Sequence, residues 1–355
     1  MAYTTIDDPS AYFTTLLYTG NATDNRNLTN SANAGDFKPD FLWLKERSST
    51  SSHQLHDSTR GSSFAVMSDS TGVEDEDGNR VQAFQTNGFQ IGTSSTVNQD
   101  TITNVAWQWK ANGGTATATI SESGNNPAAV VQANPTAGFS IITYTGTGAS
   151  GTIAHGLGAR PKFIIIKNRD AGEGWHINGE LITGNTNGAF HFNTDAEYTG
   201  GSNNSTASSI DANNIHVISS GNVNTNAQKY VAYVFTEKQG YSKFGTYVGN
   251  GNADGSYIYL GFKPAWIMFK KASGAGDWII MDAKRTNEFN PTNGTLYANL
   301  NNAEATSIDR GDCVSNGYKL RNTSAAVNSS GATYIYMAFA EHPFVSSKGV
   351  PTTAR

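Results

Sequence analysis

Phe37-Lys38-Pro39-Asp40-Phe41-Leu42-Trp43-Leu44-Lys45 decides the fold because it has two counterparts further along the chain. They are Ala159-Arg160-Pro161-Lys162-Phe163-Ile164-Ile165-Ile166-Lys167 and Phe262-Lys263-Pro264-Ala265-Trp266-Ile267-Met268-Phe269-Lys270. Each time, a basic residue and a proline lead into a mostly aromatic or aliphatic run that stops at a lysine six places after the proline. Proline suits the first position of a β-strand because it cannot donate to the ladder, and the apolar run suits a strand covered on both faces. The lysine is expected to return the chain to water. A feature present three times in a core is explained by packing before catalysis.

Working outward, an earlier strand precedes each proline. Tyr12 to Asn21, Phe139 to Thr147 and Tyr241 to Asn250 read as strand and turn, with 21, 17 and 17 residues from Tyr18, Tyr144 and Tyr247 to the following proline. Aromatic-rich closing strands follow at Thr103–Lys110, Lys229–Glu237 and Tyr334–Glu341. In these, Trp109, Phe235 and Phe339 lie 70, 74 and 75 residues after the prolines. Three strands at nearly fixed offsets in three copies predict a repeat of roughly 100 residues. The expected fold is therefore all-β: three tandem, related antiparallel β-sandwich units, jelly-roll-like, packed with pseudo-threefold symmetry. Residues 1–10 read as an N-terminal arm and a candidate attachment segment, 11–112 as the first unit, 113–136 as a connector able to add an edge strand pair, 137–237 as a divergent second unit, 240–344 as the third, and 345–355 as a tail. Only Lys238-Gln239 joins the last two units, so those are expected to pack closely and the first to sit further away.

Composition agrees. Only 15% of residues are charged, while glycine, Asn, Ser and Thr are abundant, which favours short strands and polar turns over long helices. A net charge of −5 offers no basic footprint for nucleic acid. The single cysteine, Cys313, rules out an intrachain disulfide framework and reads as a small buried thiol. Met1 to Pro9 lacks the pattern of a signal peptide, so synthesis in a cytoplasm is expected, and no membrane insertion. Asn87-Gly88 and Asn316-Gly317 mark tight hairpins entering strands.

The polar residues offer few sites. Asp57/Arg60 and Asp282/Arg285 place a carboxylate three residues from a guanidinium, an arrangement that binds a hydroxyl or carboxylate, or else pins a loop. Their presence in two copies favours the pin. The second unit has Asn178-Gly179-Glu180-Leu181 there instead. The acidic run Glu74-Asp75-Glu76-Asp77-Gly78-Asn79 lacks the ligand spacing of a calcium loop and reads as a solvated loop. His53 and His56 are three apart on an expected strand, which puts them on opposite faces and argues against zinc. No catalytic, cofactor-binding or metal-binding residue and no cofactor is expected, although a carboxylate pair for glycoside hydrolysis meets in space and leaves no trace in sequence. Tyr198, Phe289 and Tyr297 read as exposed loop aromatics able to stack on sugar rings.

Met1 to Ser10, Lys38 to Phe41, His56 to Gly61, Gly240 to Gly245, Asn301 to Thr306 and Ala338 to Phe344 together cover nearly the whole chain in a fixed order. With them the chain resembles a family of β-rich virion proteins of marine tailed bacteriophages. The resemblance implies a structural tail fibre, tail-tip or capsid-appendage protein that contributes to host recognition and is located in the virion. Its partners would be other virion proteins and a host surface glycan or protein receptor, and it would be a homo-oligomer, with a trimer favoured. Two alternatives stand beside it: a capsid decoration or tail structural protein without receptor binding, and a polysaccharide-degrading tailspike enzyme.

Overall fold

The computed structural model describes residues 2–30, 37–180, 188–200, 210–285 and 290–352. Among them, three large antiparallel sheets share one order of strands: opening, closing, proline-led, then a fourth. In the first sheet these are Phe13–Thr19, Thr103–Trp109, Phe41–Glu46 and Gln54–Asp57. The second uses Phe139–Thr145, Lys229–Phe235, Phe163–Asn168 and His176–Asn178. The third uses Ser242–Val248, Thr333–Pro343, Phe262–Lys271 and Ile279–Asp282. The closing strand thus sits between two hydrogen-bonded partners in every sheet, and its aromatic-rich side chains are buried by the layers on both faces.

Each large sheet has two apolar faces, and the two faces have different partners. On the outer side each is covered by its own small sheet, so each unit is a sandwich. These covers are built on Arg26–Thr29 with Gly88–Ile91, Gly151–Ala154 with Asn214–Val217, and Tyr257–Tyr259 with Gly317–Leu320. On the inner side all three sheets face one shared core, which contains all six tryptophans, each at most 2% exposed. Trp43, Trp107, Trp109 and Trp266 pack against one another there, with ring centroids 5.8–6.4 Å apart. Each large side chain so buried contributes about 1.5–3 kcal/mol, so the inner core is a main source of stability and belongs to no single unit. The first unit does not sit apart as expected: Phe41 stacks on Tyr233 at 4.3 Å, and Phe13 on Phe339 at 5.3 Å.

Several local expectations change. The connector does supply two strands, Ala118–Ile120 and Ala129–Asn134, which extend the second sheet beyond its opening strand. Pro264 lies within its strand, where the register shifts at a bulge, a place that tolerates a missing donor. Residues 2–10 are no free arm. Ile6 is buried in the shared core, the Tyr3 hydroxyl donates to Gly261 O at 2.7 Å, and the Thr4 hydroxyl to Gln239 O at 2.8 Å. The hairpin glycines, Gly88 and Gly317, are the first residues of their strands. A Cβ on either would lie 2.1–2.2 Å from a carbonyl oxygen of the neighbouring strand, Leu28 O or Ile258 O, so close strand approach selects glycine there.

Candidate functional site

The lysines that end the three proline-led runs were expected in water. They are buried instead: Lys45, Lys167 and Lys270 are 1%, 0% and 0% exposed. Two of them reach across to a neighbouring unit. Lys167 Nζ donates to Thr71 O at 3.0 Å and Glu173 O at 2.9 Å, and Lys270 Nζ to Asp195 O at 3.0 Å and Gly276 O at 2.8 Å. Lys45 Nζ is held by Glu46 O at 2.7 Å. Burial pushes all three amines down to about 8, while the carbonyl oxygens around them satisfy the donors that a buried ammonium must place.

The residue before each fourth strand makes a second equivalent contact. Trp175 Nε1 donates to Met67 O at 2.8 Å, Trp278 Nε1 to His191 O at 3.1 Å, and His53 Nε2 lies 2.9 Å from Tyr297 O. Met67, His191 and Tyr297 occupy the same place in their units, one residue beyond Val66, Phe190 and Leu296, which pair with the fourth strands. The contacts therefore run from the third unit to the first, the first to the second and the second to the third, and close on themselves. His53 is locked neutral, because its Nδ1 accepts from Trp43 Nε1 at 2.8 Å and its Nε2–H faces the carbonyl. Burial holds its pKa down to about 3.

Upon this frame sit the Asp/Arg pairs. Asp57 Oδ1 accepts from the backbone N–H groups of Thr59 at 3.0 Å and Arg60 at 2.8 Å, which pins its own turn. Its Oδ2 binds the Arg60 guanidinium and, at 2.8 Å, the hydroxyl of Tyr233 in the second unit. Arg60 also bonds Glu74 at 2.8 Å, and Glu74 in turn holds Arg169 of the second unit at 2.6–2.9 Å. The third unit repeats this arrangement against the first. Asp282 accepts from Lys284 N at 3.0 Å, Arg285 N at 2.9 Å and Trp107 Nε1 at 2.8 Å. Arg285 bonds Asp282 and Glu304, and Glu304 holds Arg47 at 2.8–2.9 Å. Each chain of four alternates in sign and sums to zero charge. Both side chains of each Asp/Arg pair are 0% exposed, so neither pair can greet a ligand. Glu74 belongs to this network and is no part of a solvated loop.

The seam from the second unit to the third has none of these charges. Gly179 stands opposite Phe163, where Asp57 stands opposite Phe41 and Asp282 opposite Trp266. Tyr198 takes the place of Glu74 and Glu304: its backbone N–H donates to Ala272 O at 3.2 Å, as theirs donate to Arg169 O and Arg47 O. Ala272 then stands where the arginines do, and Met337 where Tyr233 and Trp107 do. Both sides of the contact have lost their polar groups together.

Two of the three expected sugar-stacking aromatics are not freely exposed loop side chains. Tyr198 is half-buried against Phe190 at 5.1 Å, and Tyr297 is half-buried in the third unit's outer core. Phe289 lies outside the described residues. His53 and His56 serve different partners, His56 Nδ1 lying 2.8 Å from Ser62 O. Cys313 is buried, and desolvation raises its thiol pKa well above the usual value. Among the described residues, no group of three or more His, Cys, Asp or Glu side chains is gathered closely enough to hold a metal ion. No helix among them is long and apolar enough to cross a membrane. Reading the sequence alone missed Arg47, Arg169, Glu74 and Glu304. The arginines lie two residues after the strand-ending lysines Lys45 and Lys167, a spacing that the alignment of the three stretches could have exposed.

Residues 8–343 match a family model described as a domain of unknown function, DUF7483. The match spans most of the chain, and the chain belongs to that family. No curated protein matches it.

Proposed function

We propose that this DUF7483 member is a non-enzymatic structural component of a bacteriophage particle, a tail fibre, tail-tip or surface appendage protein that contributes to host recognition. One observation supports the non-enzymatic part of the reading best: the two Asp/Arg pairs, the most site-like polar groups of the sequence, are spent at the seams. Asp57, Arg60, Asp282 and Arg285 are closed off from solvent by neighbouring units. The resemblance of the sequence to virion proteins of marine phages supplies the location.

Mass spectrometry of purified particles, followed by labelling with an antibody against the chain, tests the location; absence of the chain from particles overturns the proposal. Competition tests the role, since the purified chain should slow adsorption of particles to host cells. Undiminished adsorption at saturating chain would leave a structural protein without receptor binding. Release of reducing sugar from host polysaccharide by the purified chain would overturn the non-enzymatic reading.

A further inference from the structure

We infer that the outer face of the third unit carries a saccharide-binding recess built on Tyr259 and Tyr3 and continued by Tyr257. This rests on the host-recognition reading for its biological use, though not for its chemistry. Tyr257 and Tyr259 alternate with buried Ile258 on one strand, so both rings project to the same side. They are 44% and 51% exposed, among the largest apolar groups the described surface leaves in water. Beside Tyr259 lies a recess of about 220 Å³ whose wall includes Tyr3, Glu237, Gln239, Lys243 and Gly261.

The fold does not demand these rings. In the first unit the strand in the same place, Arg26–Thr29, carries Asn27 and Thr29 at the two outward positions. In the second, Gly151–Ala154 carries Thr152 and Ala154. Leu28, Ile153 and Ile258 fill the inward position in all three, which shows what packing requires. Only the third unit presents aromatic faces.

The surroundings select the ligand class. The recess is bordered by a carboxylate, an amide, an amine and a hydroxyl, and its one aliphatic lining residue, Leu260, is only 3% exposed. Glu237 and Gln239 are exposed and placed to accept from and donate to vicinal hydroxyls. Lys243 Nζ sits 4.7 Å from the Tyr259 ring centroid and holds that ring in place, which lowers the entropic cost of using it as a platform. A flat, polar-edged face beside hydroxyl-matching groups suits the C–H face and hydroxyl edge of a pyranose. A net charge of −5 argues against a polyanion.

The test titrates the full chain with the trisaccharides of glucose, galactose and N-acetylglucosamine, read by calorimetry and by amide chemical shifts. At least one should bind and shift resonances around Tyr259, and Tyr259→Ala should weaken it about tenfold. Tyr257→Ala/Tyr259→Ala should abolish binding and leave Tm unchanged, because both rings are exposed. Failure of all three sugars to bind, or equal binding by the double variant, overturns the recess. Sugar binding lost in the variant while variant particles adsorb normally keeps the recess and removes the host-recognition reading.

Discussion

The seams between the first and second units and between the third and first are closed by buried charge, whereas the seam between the second and third is closed by apolar contact. All three use the same frame, in which a Trp or His ring of one unit meets a carbonyl of its neighbour and a backbone N–H of that neighbour donates back to a carbonyl of the first. The charged groups are therefore an addition to a seam that closes without them. At the apolar seam, Trp278 packs against Phe190 and Phe192 at 5.7 and 5.0 Å and Phe163 lies 6.2 Å from Phe244, contacts that need no precise partner. A buried ion pair gains little over a well-packed apolar contact, but breaking one by half is expensive. The lesson is that charge at two seams specifies which unit meets which, and the shared aromatic core supplies the adhesion.

The hardest way to break that comparison is to leave one charge unpaired. Arg285→Ala leaves the buried Asp282 without its counter-charge and Glu304 with Arg47 alone, and should cost about 3–5 kcal/mol, read as a drop in the denaturation midpoint; Arg60→Ala should match it. A cost no larger than that of an exposed arginine would mean the pairs are idle. Removing the whole network, with Asp282→Leu and Arg285→Met in a background where Glu304 and Arg47 are made neutral, should recover much of the loss.

Attempting to charge the apolar seam sharpens the contrast. Gly179→Asp introduces the missing carboxylate, yet Gly179 has φ +122° and a Cβ there would lie 2.4 Å from Lys162 O. The variant should lose about 1–3 kcal/mol through backbone strain; a gain in Tm would show that the seam merely lacks an acid.

Acid should find weak points in the first and second units. His53, His56 and His176 are buried neutral, and burial holds each pKa down to about 3 against 6.5 for a free imidazole. The unfolded chain binds more protons than the folded one between those values, so stability falls as pH drops from about 6.5 toward 3. Each histidine contributes about 1.4 kcal/mol per pH unit inside that window. Asp40, Glu46 and Asp69, whose carboxyls burial raises, oppose this in part. His53→Gln should flatten the slope of Tm against pH, and an unchanged slope would contradict the locked neutral tautomer.

The opposite end of the pH range carries a further effect. Amines held at about 8 bind fewer protons in the folded chain than in the unfolded one up to about 10.5, so stability should rise as pH goes from 8 to 10. Above pH 10 the buried tyrosines, raised by desolvation, turn the trend downward. Lys270→Met should remove about a third of the rise and, by leaving carbonyls unpaired, cost about 1–3 kcal/mol at pH 7.

Much of the fold was legible because apolar runs with marked ends report burial on both faces wherever they lie. The three stretches led by Pro39, Pro161 and Pro264 and their spacing to the closing strands identified all-β units. The connector was legible as able to add a strand pair, which it does at Ala118–Ile120 and Ala129–Asn134. The site was less legible. Asp57 lies three residues from Arg60, so their contact with each other and with their own turn could be read locally, but the second partner, Tyr233, is distant in sequence. Tyr198 looked like a loop aromatic because nothing in its neighbours reveals that it stands where Glu74 and Glu304 do.

Sequence by itself determined which residues are apolar, in what period and how often the pattern recurs, since these depend on neighbours along the chain. Only the tertiary structure decided that Lys45, Lys167 and Lys270 end in carbonyl cages and not in water, because another part of the chain supplies the acceptors for two of them. The Phe37 to Lys45 stretch therefore contributes twice: its aromatic residues build the shared core, and its final lysine lies buried beside the seam that the core creates.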